Sequence, residues 1–128
     1  EINYFGEIMK KVAFKDIPKI ARNEALFTDT VYAQSILEHE DSDNFNFAIV
    51  NFPKSARTKF HIHSGDQILI ITEGEGMVCN EEVELSVQKG DMVLINAGEN
   101  HWHGAKENTT MSHITITVSG STTEVTED

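Results

Sequence analysis

His61 and His63 stand one residue apart, Gln67 follows after three intervening residues, and His101 lies much further along the chain. On a β-strand, residues two apart point to the same face, so His61 and His63 converge without unusual backbone geometry. Together with His101 and Gln67 they offer three imidazole nitrogens and one carboxamide oxygen. This mixed donor set suits Mn, Fe, Co, Ni or Zn. Taken singly, each of these residues is more often structural or superficial; the joint pattern is what points to a metal. A neutral Gln67 in place of a carboxylate leaves a divalent ion its full charge. The ion would then be a stronger Lewis acid, held less tightly by the protein. The loss of an anionic donor also disfavours an oxidised iron state, which moves the expected chemistry from oxygen activation toward non-redox reactions. Four protein donors leave an octahedral ion two open positions, as catalysis requires and a purely structural metal does not.

The elements that must position these groups read as β-structure. Short β-rich runs cover Thr30 to Leu37, Phe45 to Phe52, Thr58 to His63, Gln67 to Thr72, Met77 to Asn80, Val83 to Val87, Met92 to Ile95 and Met111 to Val118. Turn signals separate them: Ser64-Gly65-Asp66, Glu73-Gly74-Glu75-Gly76, Lys89-Gly90-Asp91 and Asn96-Ala97-Gly98-Glu99-Asn100,. Eight or so such strands predict an all-β jelly-roll barrel. Helix is expected only near the N-terminus, as a turn or two over Ile17 to Arg22 capped by Asp16, with Pro18 early enough to be tolerated.

Alternation assigns faces. In Met111 to Val118, Ile114, Ile116 and Val118 share one side, while His113, Thr115 and Thr117 share the other. That polar side is either the solvated face of an open sheet or the lining of an internal pocket. Ala48 and Val50 share a face with Asn46, and their small side chains would leave room for a ligand if they turn inward. The expected substrate pocket is therefore Ala48, Val50, Thr115 and Thr117. His103 reads as a hydrogen-bonding or rim residue and Trp102 as packing. Arg57 and Lys59 share strand parity with His61 and read as solvated edge charges or as recruiters of a carboxylate. His39, between two glutamates, belongs on the surface.

The 128 residues suit one domain, with a core over about residues 28–119 and a flexible tail over 120–128,. Residues 1–8 read as a leader or added sequence, with Met9 an alternative start. A net charge of −11 with only ten Lys and Arg argues against nucleic acid,. The chain shows neither an apolar run long enough to span a bilayer nor a signal-peptide layout, so a soluble cytoplasmic protein is expected. Cys79 is the only cysteine, which excludes an internal disulfide; it reads as a small packing residue,.

Residues 61 to 105 resemble the two cupin motifs. The first is framed by glycines around a His-X-His pair and a glutamate, positions held here by Ser55, His61, His63, Gln67 and Gly74. The second is met by Gly90, Asn96, Gly98, His101 and Ala105. Four positions depart: Ser55 for glycine, Gln67 for glutamate, Asn96 for proline and Ala105 for asparagine. Residues 45 to 118 further resemble small manganese cupins that include bacterial hydroxynitrile lyases and carboxymuconolactone-decarboxylase-like proteins. That resemblance implies His61, His63, Gln67 and His101 as ligands, manganese first among the candidate ions, and His113 as a base beside the metal. It implies a lyase or decarboxylase acting on a small oxygenated molecule. A cupin dioxygenase and a non-catalytic ligand-binding module are the competing readings. Exposed sheet edges predict a homodimer or higher homo-oligomer.

Overall fold

Gln67–Asn80 organises the molecule. In the computed structural model, which describes residues 9–128, this 14-residue strand belongs to both halves of a curled sheet. The strands in chain order are β1 (Ile20–Arg22), β2 (Val31–Leu37), β3 (Phe45–Phe52), β4 (His61–His63), β5 (Gln67–Asn80), β6 (Glu84–Gln88), β7 (Met92–Ile95), β8 (His101–Ala105), β9 (Met111–Val118) and β10 (Thr123–Val125). The first half of β5 lies between β9 and β7, and β3, β2 and β1 continue outward from β9. Its second half lies between β6 and β8, which leads to β4 and β10. All named pairs are antiparallel, as the expected all-β jelly roll requires.

Gly74 makes the continuity of β5 possible. The sequence predicts a reversal over residues 73–76, but the chain bends there instead, with a register shift between Ile71 and Glu73. Gly74 has φ +73°, and a Cβ at this position would lie 1.8 Å from the Thr110 carbonyl oxygen. Only glycine meets both demands. Ser55, which stands where the first motif has glycine, likewise takes a left-handed φ of 67°.

Three local expectations need correction. The helix expected over residues 17–22 is absent; a single 3-10 turn forms earlier, at Phe14–Asp16, and Ile20–Arg22 is strand β1. Partners outside the segment decide this. The Gln34 carboxamide donates to the Phe14 and Ile17 carbonyls at 2.8 and 2.9 Å, and β1 pairs with β2. His101–Ala105, absent from the expected strands, is β8. The segment expected as a loose tail forms β10, which pairs with the His61–His63 strand. Among the described residues no helix is long and apolar enough to cross a membrane.

The hydrophobic core joins both halves through Val31, Phe52, Leu69, Ile71, Val78, Val87, Ile95 and Met111. On β9 the polar face is the inner one: Thr115 and Thr117 line a cavity with His113. Phe45, Met92, Leu94 and Val118 are exposed on the strands around it. Polar residues turned into a barrel are a cost that only a ligand site explains.

The bend in β5 carries a testable consequence. Gly74→Ala combines a left-handed φ for an L-residue with a backbone clash, and each of these costs on the order of 1–3 kcal/mol. We expect a loss of at least about 2 kcal/mol in chemical denaturation. A variant as stable as the parent would show that the backbone at 74 relaxes freely.

Candidate metal centre

Strand parity places His61 and His63 on one side of β4, and antiparallel pairing sets His101 on β8 directly opposite His61. Gln67, the first residue of β5, closes the group. The ring centroids lie 4.2 Å apart for His61 and His101, 4.8 Å for His61 and His63, and 5.5 Å for His63 and His101. One nitrogen from each ring lies within 4.8 Å of the others. All three rings and Gln67 are buried.

Hydrogen bonds fix which nitrogen each ring presents. His61 Nδ1 lies 2.8 Å from the Lys59 carbonyl, and His101 Nδ1 lies 2.8 Å from the Glu99 carbonyl. A carbonyl oxygen only accepts, so both rings carry their proton on Nδ1 and keep a lone pair on Nε2. Burial keeps the rings neutral: the His61 pKa falls to about 3, chiefly through desolvation and then through the neighbouring His101. Desolvation lowers His63 and His101 too.

The consequence is electrostatic. His101 Nε2 lies 3.2 Å from Gln67 Oε1, and Gln67 Nε2 is engaged as donor to Thr115 Oγ1 at 2.8 Å. A ring lone pair therefore faces a carbonyl oxygen with no proton between them. The buried His63 Nε2 also has no partner. Acceptors gathered without a donor repel one another and cost desolvation energy. A cation among them removes both penalties, so the residues present fit a divalent transition metal held by His61, His63, His101 and Gln67.

A second pair of imidazoles lies beside the first group. His103 Nδ1 and His113 Nε2 are 3.0 Å apart, both rings are buried, and His113 Nδ1 has no partner. Burial pushes the His113 pKa down to about 4 and holds His103 well below its ordinary value. One of these two nitrogens donates to the other; in the tautomer in which His103 Nδ1 accepts, His113 donates through Nε2 and keeps a lone pair on Nδ1. His103 thus has the hydrogen-bonding role expected of it, but in the interior and not at a rim. Phe52 packs against both rings, 5.8 Å from His103 and 5.3 Å from His113.

A cavity of about 300 Å³ joins the two groups. Val50, Thr115 and Thr117 line it. Ala48 does not; it shares their face, opposite Thr115, but lines a separate groove with Ser35, Leu37 and Phe47. Residues not anticipated are Phe27, Phe52, Thr58, Ser121 and Thr123. Phe52 had a signal, since it shares strand parity with Asn46 and Val50; Thr123 had none within its acidic surroundings. Among the described residues no lysine, arginine, aspartate or glutamate lines this cavity. Arg57 is instead committed elsewhere: its guanidinium pairs with Glu127 at 2.7 Å and stacks 4.7 Å over Trp102. His39 is exposed and Cys79 buried, its thiol pKa raised by desolvation.

These shifts set a pH dependence. A histidine whose pKa is about 3 or 4 in the fold and about 6.5 unfolded binds its proton only on unfolding,. Its contribution to stability is complete above pH 6.5 and falls as the pH drops toward the folded value. The loss approaches about 1.4 kcal/mol per pH unit for each such ring. Chelator-treated protein should therefore melt progressively lower from pH 7 to pH 5, before carboxylates titrate. A flat profile over that interval would show that the rings are not held neutral.

Among known proteins, the cupin-domain sequence profile matches residues 48–126. The (R)-mandelonitrile lyase of Granulicella tundricola is 37% identical over 91 residues, a stretch covering 70% of this chain and 70% of that protein. A cupin-like protein of Thermotoga maritima superposes with a TM-score of 0.81 at 30% identity, over 87% of this chain and 86% of that one. The polyketide cyclase RemF of Streptomyces resistomycificus shares the fold, with a TM-score of 0.79 at 17% identity over 89% of this chain and 82% of its own. With its paired motifs, curled sheet and inward-facing histidines, the chain belongs to the cupin family.

Proposed function

We propose that this cupin is a metal-dependent lyase that cleaves small neutral hydroxynitriles into an aldehyde or ketone and hydrogen cyanide. The observation that carries this reading is the unpartnered, buried Nδ1 of His113, a residue lining the same cavity as His61, His63 and Gln67. Manganese, the ion of the cupin subgroup the sequence resembles, is the metal we assign. When bound by His61, His63, Gln67 and His101, it would supply Lewis acidity to polarise the substrate oxygen.

The protein's own groups account for the rest. His113 accepts the hydroxyl proton at Nδ1, while His103, bonded to its other nitrogen, holds the ring in the required tautomer. The bond between the carbinol and nitrile carbons breaks, its electron pair leaves with cyanide, and the carbinol carbon becomes a carbonyl. His113 then returns the proton to cyanide, so atoms and charges balance. The low pKa of His113 keeps the ring free to accept and quick to give the proton back. Phe27, Phe52 and Val50 form an apolar wall for the substituent.

The cavity lining also favours a neutral substrate over a hydroxy or keto acid. No cationic side chain reaches in to bind a carboxylate. At about 300 Å³ the space is at the small end for ligand pockets, which run roughly 300–1,000 Å³,. A second relation supports the same reading: the lyase from Granulicella tundricola acts on mandelonitrile, as its name states.

Manganese-loaded protein should release cyanide from mandelonitrile, and His113→Ala should lower kcat by about 10²- to 10⁴-fold, the usual worth of a positioned acid–base group. The variant should keep its metal, measured by elemental analysis. Full metal loading without cyanide release, or a His113→Ala variant as active as the parent, would contradict the reading.

A further inference from the structure

The three imidazoles of the metal centre are not oriented alike. His61 and His101 each bond through Nδ1 to the backbone carbonyl two residues earlier, Lys59 and Glu99. Those partners are supplied by the same stretch of chain and force one tautomer. His63 has no such partner. Its Nδ1 lies 2.9 Å from Thr123 Oγ1, a side chain 60 residues away on β10. A hydroxyl both donates and accepts, so the tautomer of His63 depends on how that hydroxyl is placed.

β10 is held where this bond requires. Thr123 pairs directly with His63 across the strands. Thr122 and Ser64 exchange hydrogen bonds, with Thr122 N donating to Ser64 Oγ at 2.8 Å and Ser64 N to the Thr122 carbonyl at 3.0 Å. Downstream, Glu127 accepts from the Phe60 amide at 2.9 Å and pairs with Arg57, while Thr126 Oγ1 reaches Asn100 Oδ1 at 2.7 Å. The three residues of β10 are all exposed, so the strand adds almost nothing to the core. Polar bonds at both ends hold this exposed strand, and Thr123 gives the metal cluster a side-chain hydrogen bond from it.

We infer that Thr123 is a positioning residue for the metal centre: its hydroxyl accepts from His63 Nδ1 and so turns the unpartnered Nε2 lone pair toward the ion. The inference rests on the metal-binding reading above. It extends the centre from four residues to a fifth, and makes the C-terminal strand part of the site. Partners of this kind that orient a ligating histidine are commonly worth 10- to 100-fold in metal affinity.

Thr123→Val keeps the shape and removes the hydroxyl, while Thr123→Ser restores it. Manganese titrated calorimetrically into chelator-stripped, full-length protein should bind Thr123→Val at least about tenfold more weakly than the parent, and Thr123→Ser within a few-fold. The metal-free Thr123→Val protein should melt as the parent does. Nitrogen-15 NMR of the metal-free imidazoles adds a readout that needs no ion: His63 should be protonated at Nδ1 in the parent and shift toward Nε2 in Thr123→Val. An unchanged tautomer with unchanged affinity would overturn the inference. If the parent itself bound no divalent ion, the metal reading would fail, and the tautomer shift alone would still decide the part played by Thr123.

Discussion

Acceptors that face one another inside a protein need something positive between them. That constraint governs this molecule. Two backbone carbonyls put the protons of His61 and His101 on Nδ1, Thr115 engages the amide nitrogen of Gln67, and burial keeps the rings uncharged. What remains at the centre is the ring lone pairs of His61 and His101, the latter facing the Gln67 carbonyl oxygen, beside a His63 Nε2 that has no partner. A divalent ion resolves the arrangement at once.

The fold can be read as the means of imposing that convergence. β4 contributes two histidines through simple alternation, β8 brings the third directly opposite, and the start of β5 adds the carboxamide. The four come from three strands, so the cluster exists only when the sheet has closed. The inversion of β9, with threonines and a histidine inside, follows from the same demand. Its inner face is given to the cavity, and Leu69, Ile71 and Met111 supply apolar contact beside it. Gly74 lets a single strand run through both halves and so ties the site to the core.

Much of this was legible in the sequence, and the reasons are local. His61 and His63 share a face on any extended backbone, and the alternation of β9 showed a polar side before the structure showed it to be internal. The spacing from His63 to Gln67 and the glycine before His101 carried the cupin resemblance. What was not legible depended on distant partners. The segment over residues 17–22 looks helical from Asp16 and Pro18, yet Gln34 and β2 claim it. Thr123-Glu124-Val125 looks like a frayed acidic end, yet it pairs with the His61–His63 strand. Ala48 has the right parity and stands between the cavity-lining Asn46 and Val50, yet it does not itself line the cavity, which periodicity alone does not reveal. His103 could be placed next to His101 in sequence; its bond to His113 could not.

X-ray diffraction at the manganese absorption edge, on crystals grown with that ion, tests the central claim most directly. The account predicts one anomalous peak per chain, bounded by Nε2 of His61, His63 and His101 and by Oε1 of Gln67. A peak elsewhere, or none, with the Gln67 carboxamide reversed so that its nitrogen donates to His101, would contradict it.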